Sequence, residues 1–155
     1  TCGIVPRIYD LAQENMPITL TLSLHAPNDK IRSGMMPVNN KWGVQEVIDA
    51  CKHYASKTSR RVSFEYTLIK GVNDTNECAR QLADMLRGFI AHVNLIPVNK
   101  IEERNYKSSQ TSSVDRFIHI VEQYGVPTTR RRTLGADIDA ACGQLRRRYI
   151  KKRGE

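Results

Sequence analysis

Closely spaced cysteines are missing from this 155-residue sequence. Cys2, Cys51, Cys78 and Cys142 stand 49, 27 and 64 residues apart, so neither CxxC nor CxxxCxxC occurs. Zinc and iron–sulfur sites draw on clustered thiolates, which excludes such a site built from this chain alone. Nothing points to secretion, so a disulfide scaffold is excluded too. Long apolar runs are also absent: no stretch reaches the roughly 18 residues that a bilayer span needs. Residues 1–30 hold no basic stretch followed by an apolar one, so no signal peptide, no membrane partner and a cytoplasmic location are expected. The first residue is Thr1, not Met, which reads as a processed chain or one cut from something longer. Hydrophobic residues at 40% and charged residues at 26% exclude a disordered or collagenous chain.

Acidic residues are scarce relative to basic ones, 16 Asp+Glu against 24 Lys+Arg, a net charge of +8. The excess is clustered. Residues 127–155 carry Arg130–Arg132, Arg146–Arg148, Lys151, Lys152 and Arg153 against Asp137, Asp139 and Glu155. Such a surface attracts phosphate backbones, unless it is only a solvated basic tail.

Strand and helix patterns alternate. Thr19–Leu24 and Arg61–Ile69 alternate with period two and read as strands, followed by His92–Val98, which Pro97 should end, and Pro127–Thr133. Helices are predicted over Pro6–Gln13, Val44–Ser56, the stretch capped by Asp74-Thr75 and running to Leu86, the stretch capped by Ser112 or Ser113 and running to Tyr124, and Ile138–Arg148. Strand starts recur every 31 to 42 residues, near the roughly 31 per unit of a (β/α)8 barrel. The fold class is α/β, with a mostly parallel sheet flanked by helices.

Thr19, Thr21, Ser23 and His25 share one side of the first strand, and Ser63, Glu65 and Thr67 one side of the second. A parallel strand buried on both faces is apolar on both. The polar side therefore faces water in a half-exposed antiparallel sheet, or lines a ligand-holding lumen. Ligands of such folds sit beyond the carboxyl ends of strands, which here are residues 23–29, 70–74, 97–99 and 130–135. The Asn99–Ser112 loop is long enough for a lid, or is a surface insertion. His25 is a ligand contact or a backbone-bonded strand end. Asn99 cradles a ligand or caps a turn. Glu65 is an inward-facing functional carboxylate or half of a structural ion pair. Cys142, in Asp137-Ile138-Asp139-Ala140-Ala141-Cys142-Gly143-Gln144-Leu145-Arg146, is an arginine-flanked nucleophile or a cysteine packed among alanines. Cys51 and Cys78 fit buried helix positions.

Several strings occur in an order that resembles the radical S-adenosylmethionine RNA adenine-C2 methyltransferases. They are Ser23-Leu24-His25-Ala26-Pro27-Asn28, Met36-Pro37-Val38-Asn39, Phe64-Glu65-Tyr66, His92 through Asn99, and Asp137 through Leu145. The resemblance implies the C-terminal half of a partial (β/α) TIM-like radical SAM barrel, with residues 1–148 in the core domain and 149–155 a basic tail. It implies methylation of C2 of an adenosine in 23S rRNA and in tRNA, using S-adenosylmethionine and a [4Fe–4S] cluster. Cys142 matches the cysteine that accepts a methyl group, whose carbon then reaches the base through radical chemistry. Ser23, Leu24, His25 and Asn99 match positions that hold S-adenosylmethionine. A reducing partner such as flavodoxin is implied for the radical step. The family's CxxxCxxC is absent here, so no metal ligand is assigned and these 155 residues alone are expected to be inactive. Two alternatives are a sister enzyme that methylates adenine C8 and confers antibiotic resistance, and a non-catalytic RNA-binding remnant.

Overall fold

The computed structural model describes residues 1–14, 16–98 and 106–131. Helix α1 spans Val5–Gln13, strand β1 Leu20–Ser23, helix α2 Asp29–Met35, helix α3 Val44–Thr58 and strand β2 Val62–Leu68. Helix α4 spans Asn76–Leu86, strand β3 Ala91–Pro97, helix α5 Thr111–Gln123 and strand β4 Thr128–Arg130.

Helices α1 to α4 begin where their sequence supplies an acceptor or removes a donor. Pro6 lies in the first turn of α1, where its missing N–H costs nothing. Asn28 and Thr75 cap α2 and α4 by accepting from the Ile31 and Cys78 amides. The first turn of α3 is satisfied from two directions. Glu46 accepts from the Gly43 N–H, and Asp29 accepts from the Val44 N–H at 2.7 Å.

All three strand pairings are parallel, in the order β1-β2-β3-β4. Parallel neighbours need crossovers, and crossovers in one sheet share one hand. When order along the sheet equals order along the chain, same-handed crossovers put every connecting helix on one face. The burial agrees. Leu20, Leu22, Val62, Phe64, Tyr66, Leu68, Ala91, Val93 and Leu95 point one way and form a single core with the buried residues of α1, α3, α4 and α5. Thr21, Ser23, Ser63, Glu65, Thr67, His92, Asn94 and Ile96 alternate with them and are half-buried on the other face, which is free of helices among the described residues. A doubly wound sheet would reverse its strand order and cover both faces. The reading as a half-exposed antiparallel sheet is thereby excluded. The fold is the singly wound, parallel βα architecture expected of barrel-type radical SAM proteins.

The outer edge of β1 is occupied as well. Thr21 O accepts from the Thr1 amine and the Ser23 N–H donates to Thr1 O, both at 2.8 Å, as in a parallel ladder. Gly3 follows at φ +96°, where an added Cβ would lie 3.0 Å from Val47. Only glycine combines that backbone with that approach.

Three expectations need correction. Helix α2 and the 3-10 turn Pro37–Asn40 stand in a stretch given no element by its pattern. They are short, and their polar residues face one another instead of a core. Helix α5 begins at Thr111 behind Gln110, which makes no side-chain cap, rather than behind Ser112 or Ser113. Strand β4 is three residues long, shorter than Pro127–Thr133. The predicted helix Ile138–Arg148 and the boundary at residue 148 lie outside the described residues.

The two faces of β2 carry unequal weight. Phe64 is fully buried and meets Phe89 edge-on with ring centroids 6.0 Å apart, whereas Ser63 is half-buried on the helix-free face. Phe64→Ala should cost about 3–5 kcal/mol and Ser63→Ala well under about 1 kcal/mol. Urea unfolding of the two variants checks this; similar losses would contradict the one-sided core.

Candidate active site

The carboxyl end of β1 runs into Leu24-His25-Ala26-Pro27, and this turn is held from all sides. His25 adopts φ +59°, the left-handed region that a non-glycine residue enters only when its surroundings impose it. Glu65 O accepts from both the Leu24 and His25 amides, at 3.0 and 3.2 Å. Asn73 donates to His25 O at 2.7 Å, and the Thr67 N–H donates to His25 Nδ1 at 3.1 Å. A ring nitrogen that accepts carries no proton, so the neutral imidazole bears its hydrogen on Nε2. Burial, reinforced by the Arg32 charge, lowers the His25 pKa to about 4. The ring is therefore neutral near pH 7 and presents Nε2 as a hydrogen-bond donor.

Two buried side chains, neither singled out by the sequence pattern, brace this turn. Arg32 is fully buried. Its Nε donates to Leu24 O at 3.1 Å, Nη2 to Cys2 O and Ser23 O at 2.8 and 3.3 Å, and Nη1 to Asn39 Oδ1 at 2.9 Å. Asn39 in turn donates to Asp29 and Ser33. Hydrogen bonds from Val44 and Asn39 hold the Asp29 carboxyl below the usual range. Asn73, also fully buried, binds Thr67 O and the Ile69 N–H as well as His25 O. Arg32 resembles any basic residue of a surface helix, and Asn73 any turn residue after Gly71, so local sequence gives no sign of either role.

The helix-free face is ordered in layers set by strand register. Ser23, Glu65, Asn94 and Thr129 form one row across the four strands, with Thr21, Ser63 and His92 in the next. Asn94 Nδ2 donates to Glu65 Oε1 at 3.1 Å, and Thr129 Oγ1 donates to Asn94 Oδ1 at 2.8 Å. Because the Thr129 proton is committed to Asn94, its oxygen receives from His92 Nε2 at 3.3 Å. Burial lowers the His92 pKa, as does Arg61, while Glu65 acts in the opposite sense. No ion pair to Glu65 exists among the described residues. At the rim, the Lys70 amide donates to Lys107 O and Ser109 donates to Asp74, so residues 107–109 pack against the end of β2. Asn99 and Cys142 lie outside the described residues.

Comparison with known proteins now bears on this site. No protein-family model matches the chain. A probable dual-specificity RNA methyltransferase RlmN from Clostridium tetani is 54% identical over 151 residues, 97% of this chain and 43% of the relative. One from Thermoanaerobacter sp. is 51% identical over 153 residues, 99% of this chain and 45% of the relative. Over the stretch it spans, the chain is similar to RlmN proteins, with about half of its residues identical. It spans under half the length of these RlmN relatives. A radical SAM methyltransferase from Sphaerobacter thermophilus, whose crystal structure is known, superimposes with a TM-score of 0.89 at 46% identity, over 93% of this chain and 42% of that one. A domain of pyruvate-formate lyase-activating enzyme from Bacteroides vulgatus gives a TM-score of 0.66 at 14% identity and shares the fold alone.

The likeness to a radical SAM methyltransferase raises S-adenosylmethionine and an iron–sulfur cluster as candidate groups, and the described residues treat the two differently. The helix-free face fits the former. A neutral His25 donor, the Ser23 hydroxyl and the Glu65 carboxylate suit a ligand with hydroxyls, an amine and a positive sulfonium. The cluster finds no such fit. Among the described residues no group of three or more His, Cys, Asp or Glu could hold a metal. Cys51 and Cys78 are buried in the core, and burial pushes the Cys51 thiol up to about 12, far from a reactive thiolate.

His25 makes stability depend on pH. Its pKa falls from 6.5 unfolded to about 4 folded, so between those values the unfolded state binds more protons. This contribution is complete above pH 6.5, declines as pH falls through that window, and is exhausted near pH 4. Protonation also removes the acceptor for Thr67. Asparagine tolerates the left-handed backbone, so His25→Asn should unfold in urea with a flatter midpoint between pH 6.5 and about 4. Parallel slopes for the two proteins would contradict the assignment.

Proposed function

We propose that this chain supplies the S-adenosylmethionine-holding rim and the methyl-carrying cysteine of an RNA adenine-C2 methyltransferase. The supporting observation is identity of about half to RlmN relatives along nearly the whole chain, joined to a rim in which Ser23, Leu24 and His25 are fixed by buried and part-buried hydrogen bonds. In this reading Ser23, Leu24, His25 and Asn99 hold S-adenosylmethionine. When bound, that cofactor supplies the methyl carbon and the radical chemistry by which the carbon is moved.

The chain's own residues do the remaining work. His25, neutral and donating from Nε2, orients the ligand without adding a second positive charge beside the sulfonium. Cys142, followed in the sequence by Arg146, Arg147 and Arg148, accepts the methyl group as a thiolate and carries it to the target base. Adenine C2 is electron-poor, so holding a carbon there for radical addition is more useful than strengthening an electrophile. Arg130 and Arg131 are exposed at the end of β4, positions from which they can meet phosphates. The substrates in this reading are 23S rRNA and tRNA in the cytoplasm, and flavodoxin or a similar donor supplies electrons. No cluster ligand lies among these 155 residues, so alone they do not methylate RNA.

The test is carried out on the protein expressed from its complete reading frame. Cys142→Ala should reduce RNA methylation to background while leaving S-adenosylmethionine binding within about twofold of wild type. Mass spectrometry of digested RNA should place the wild-type methyl group on C2 of adenosine. A methyl group on C8, or full activity without Cys142, would overturn the reading.

A further inference from the structure

Glu65 is a half-buried carboxylate that only half completes its hydrogen bonding. Its row on the helix-free face is a one-way relay: His92 Nε2 donates to Thr129, Thr129 to Asn94, and Asn94 to Glu65 Oε1. Every donor is directed toward the carboxylate, and each bond polarises the next. The relay fixes the Asn94 amide and leaves Oε1 satisfied. Oε2 is shielded from solvent and has no hydrogen-bond partner among the described residues. No lysine or arginine among the described residues pairs with the group. A buried acceptor without a donor costs free energy, more so when charged. Such a cost persists in a fold when a ligand removes it.

The register indicates which ligand. Glu65 is the direct neighbour of Ser23 on β1, and its backbone carbonyl receives the Leu24 and His25 amides. The Glu65 side chain thus stands beside the Ser23-Leu24-His25 turn, one strand inward from it. We infer that Glu65 Oε2 is an acceptor for a donor group of S-adenosylmethionine, making Glu65 a ligand-positioning residue of the same site. The inference rests on the proposed function above. The ligand's ribose hydroxyls and ammonium are the donors of the required kind, and its net positive charge suits a carboxylate.

Glu65→Gln is the informative substitution. Its amide oxygen can still accept from Asn94, which keeps the relay and the fold. The other atom becomes an NH2 donor, which opposes a ligand donor instead of accepting from it. In the protein expressed from its complete reading frame, calorimetric titration with S-adenosylmethionine should show affinity reduced about tenfold or more. RNA affinity by filter binding should be unchanged. Glu65→Asp, which retains the charge but withdraws the oxygens, should recover only part of the loss. Unchanged S-adenosylmethionine affinity in a folded Glu65→Gln protein would overturn the inference, as would a loss confined to RNA binding. Wild-type protein that fails to bind S-adenosylmethionine would instead overturn the proposed function.

Discussion

The burial of the Arg32 guanidinium against backbone carbonyls is the interaction on which the rim depends. A fully buried positive charge without a carboxylate partner at ion-pair distance among the described residues is expensive. Here the compensation is supplied by the carbonyls of Cys2, Ser23 and Leu24, with Asp29 one residue away through Asn39. The planar fork reaches four acceptors at once, which a lysine ammonium could not do with the same geometry. The consequences spread outward. The end of β1 is pinned, so His25 can be held in a strained backbone conformation, and Asp29 is placed to cap α3. Burial and the Arg32 charge together keep His25 neutral. One side chain thereby couples the fold to the electrostatics of the site.

Much of the fold was legible because its signals are periodic and local. The alternation of Thr21 and Ser23 with Leu20 and Leu22, and of Ser63, Glu65 and Thr67 with Val62, Phe64 and Tyr66, reports a sheet with unlike faces. The 3.6-residue spacing of Val44, Val47, Ile48 and Cys51 reports the helix that covers one of them. Neither pattern reveals what the polar face meets. That answer comes from the parallel order of the strands, a non-local property. Helix α2 escaped because Asp29, Arg32 and Ser33 point into a polar network, so no apolar stripe marks it.

The site was legible unevenly. His25 and Ser23 stand out by position at a strand end. Their supports, Arg32, Asn39 and Asn73, do not, because burial of a polar residue depends on partners far along the chain: Asn73 reaches His25 across 48 residues and Arg32 reaches Cys2 across 30. Glu65 was visible as an inward carboxylate, yet its relay through Asn94, Thr129 and His92 needed the register of three strands. The resemblance in sequence added proposals where physical reasoning on single residues left alternatives open, at Cys142 and Asn99.

The account's central claim is that the helix-free face below the Ser23-Leu24-His25 turn holds S-adenosylmethionine. A crystal structure of the protein from its complete reading frame, grown with S-adenosylmethionine, tests this most directly. The account predicts ligand density against that face, within hydrogen-bond distance of His25 Nε2 or the Ser23 hydroxyl. Density on the opposite side of the sheet, for example in the groove between Lys30, Lys52 and Gln81, with the helix-free face empty, would contradict it.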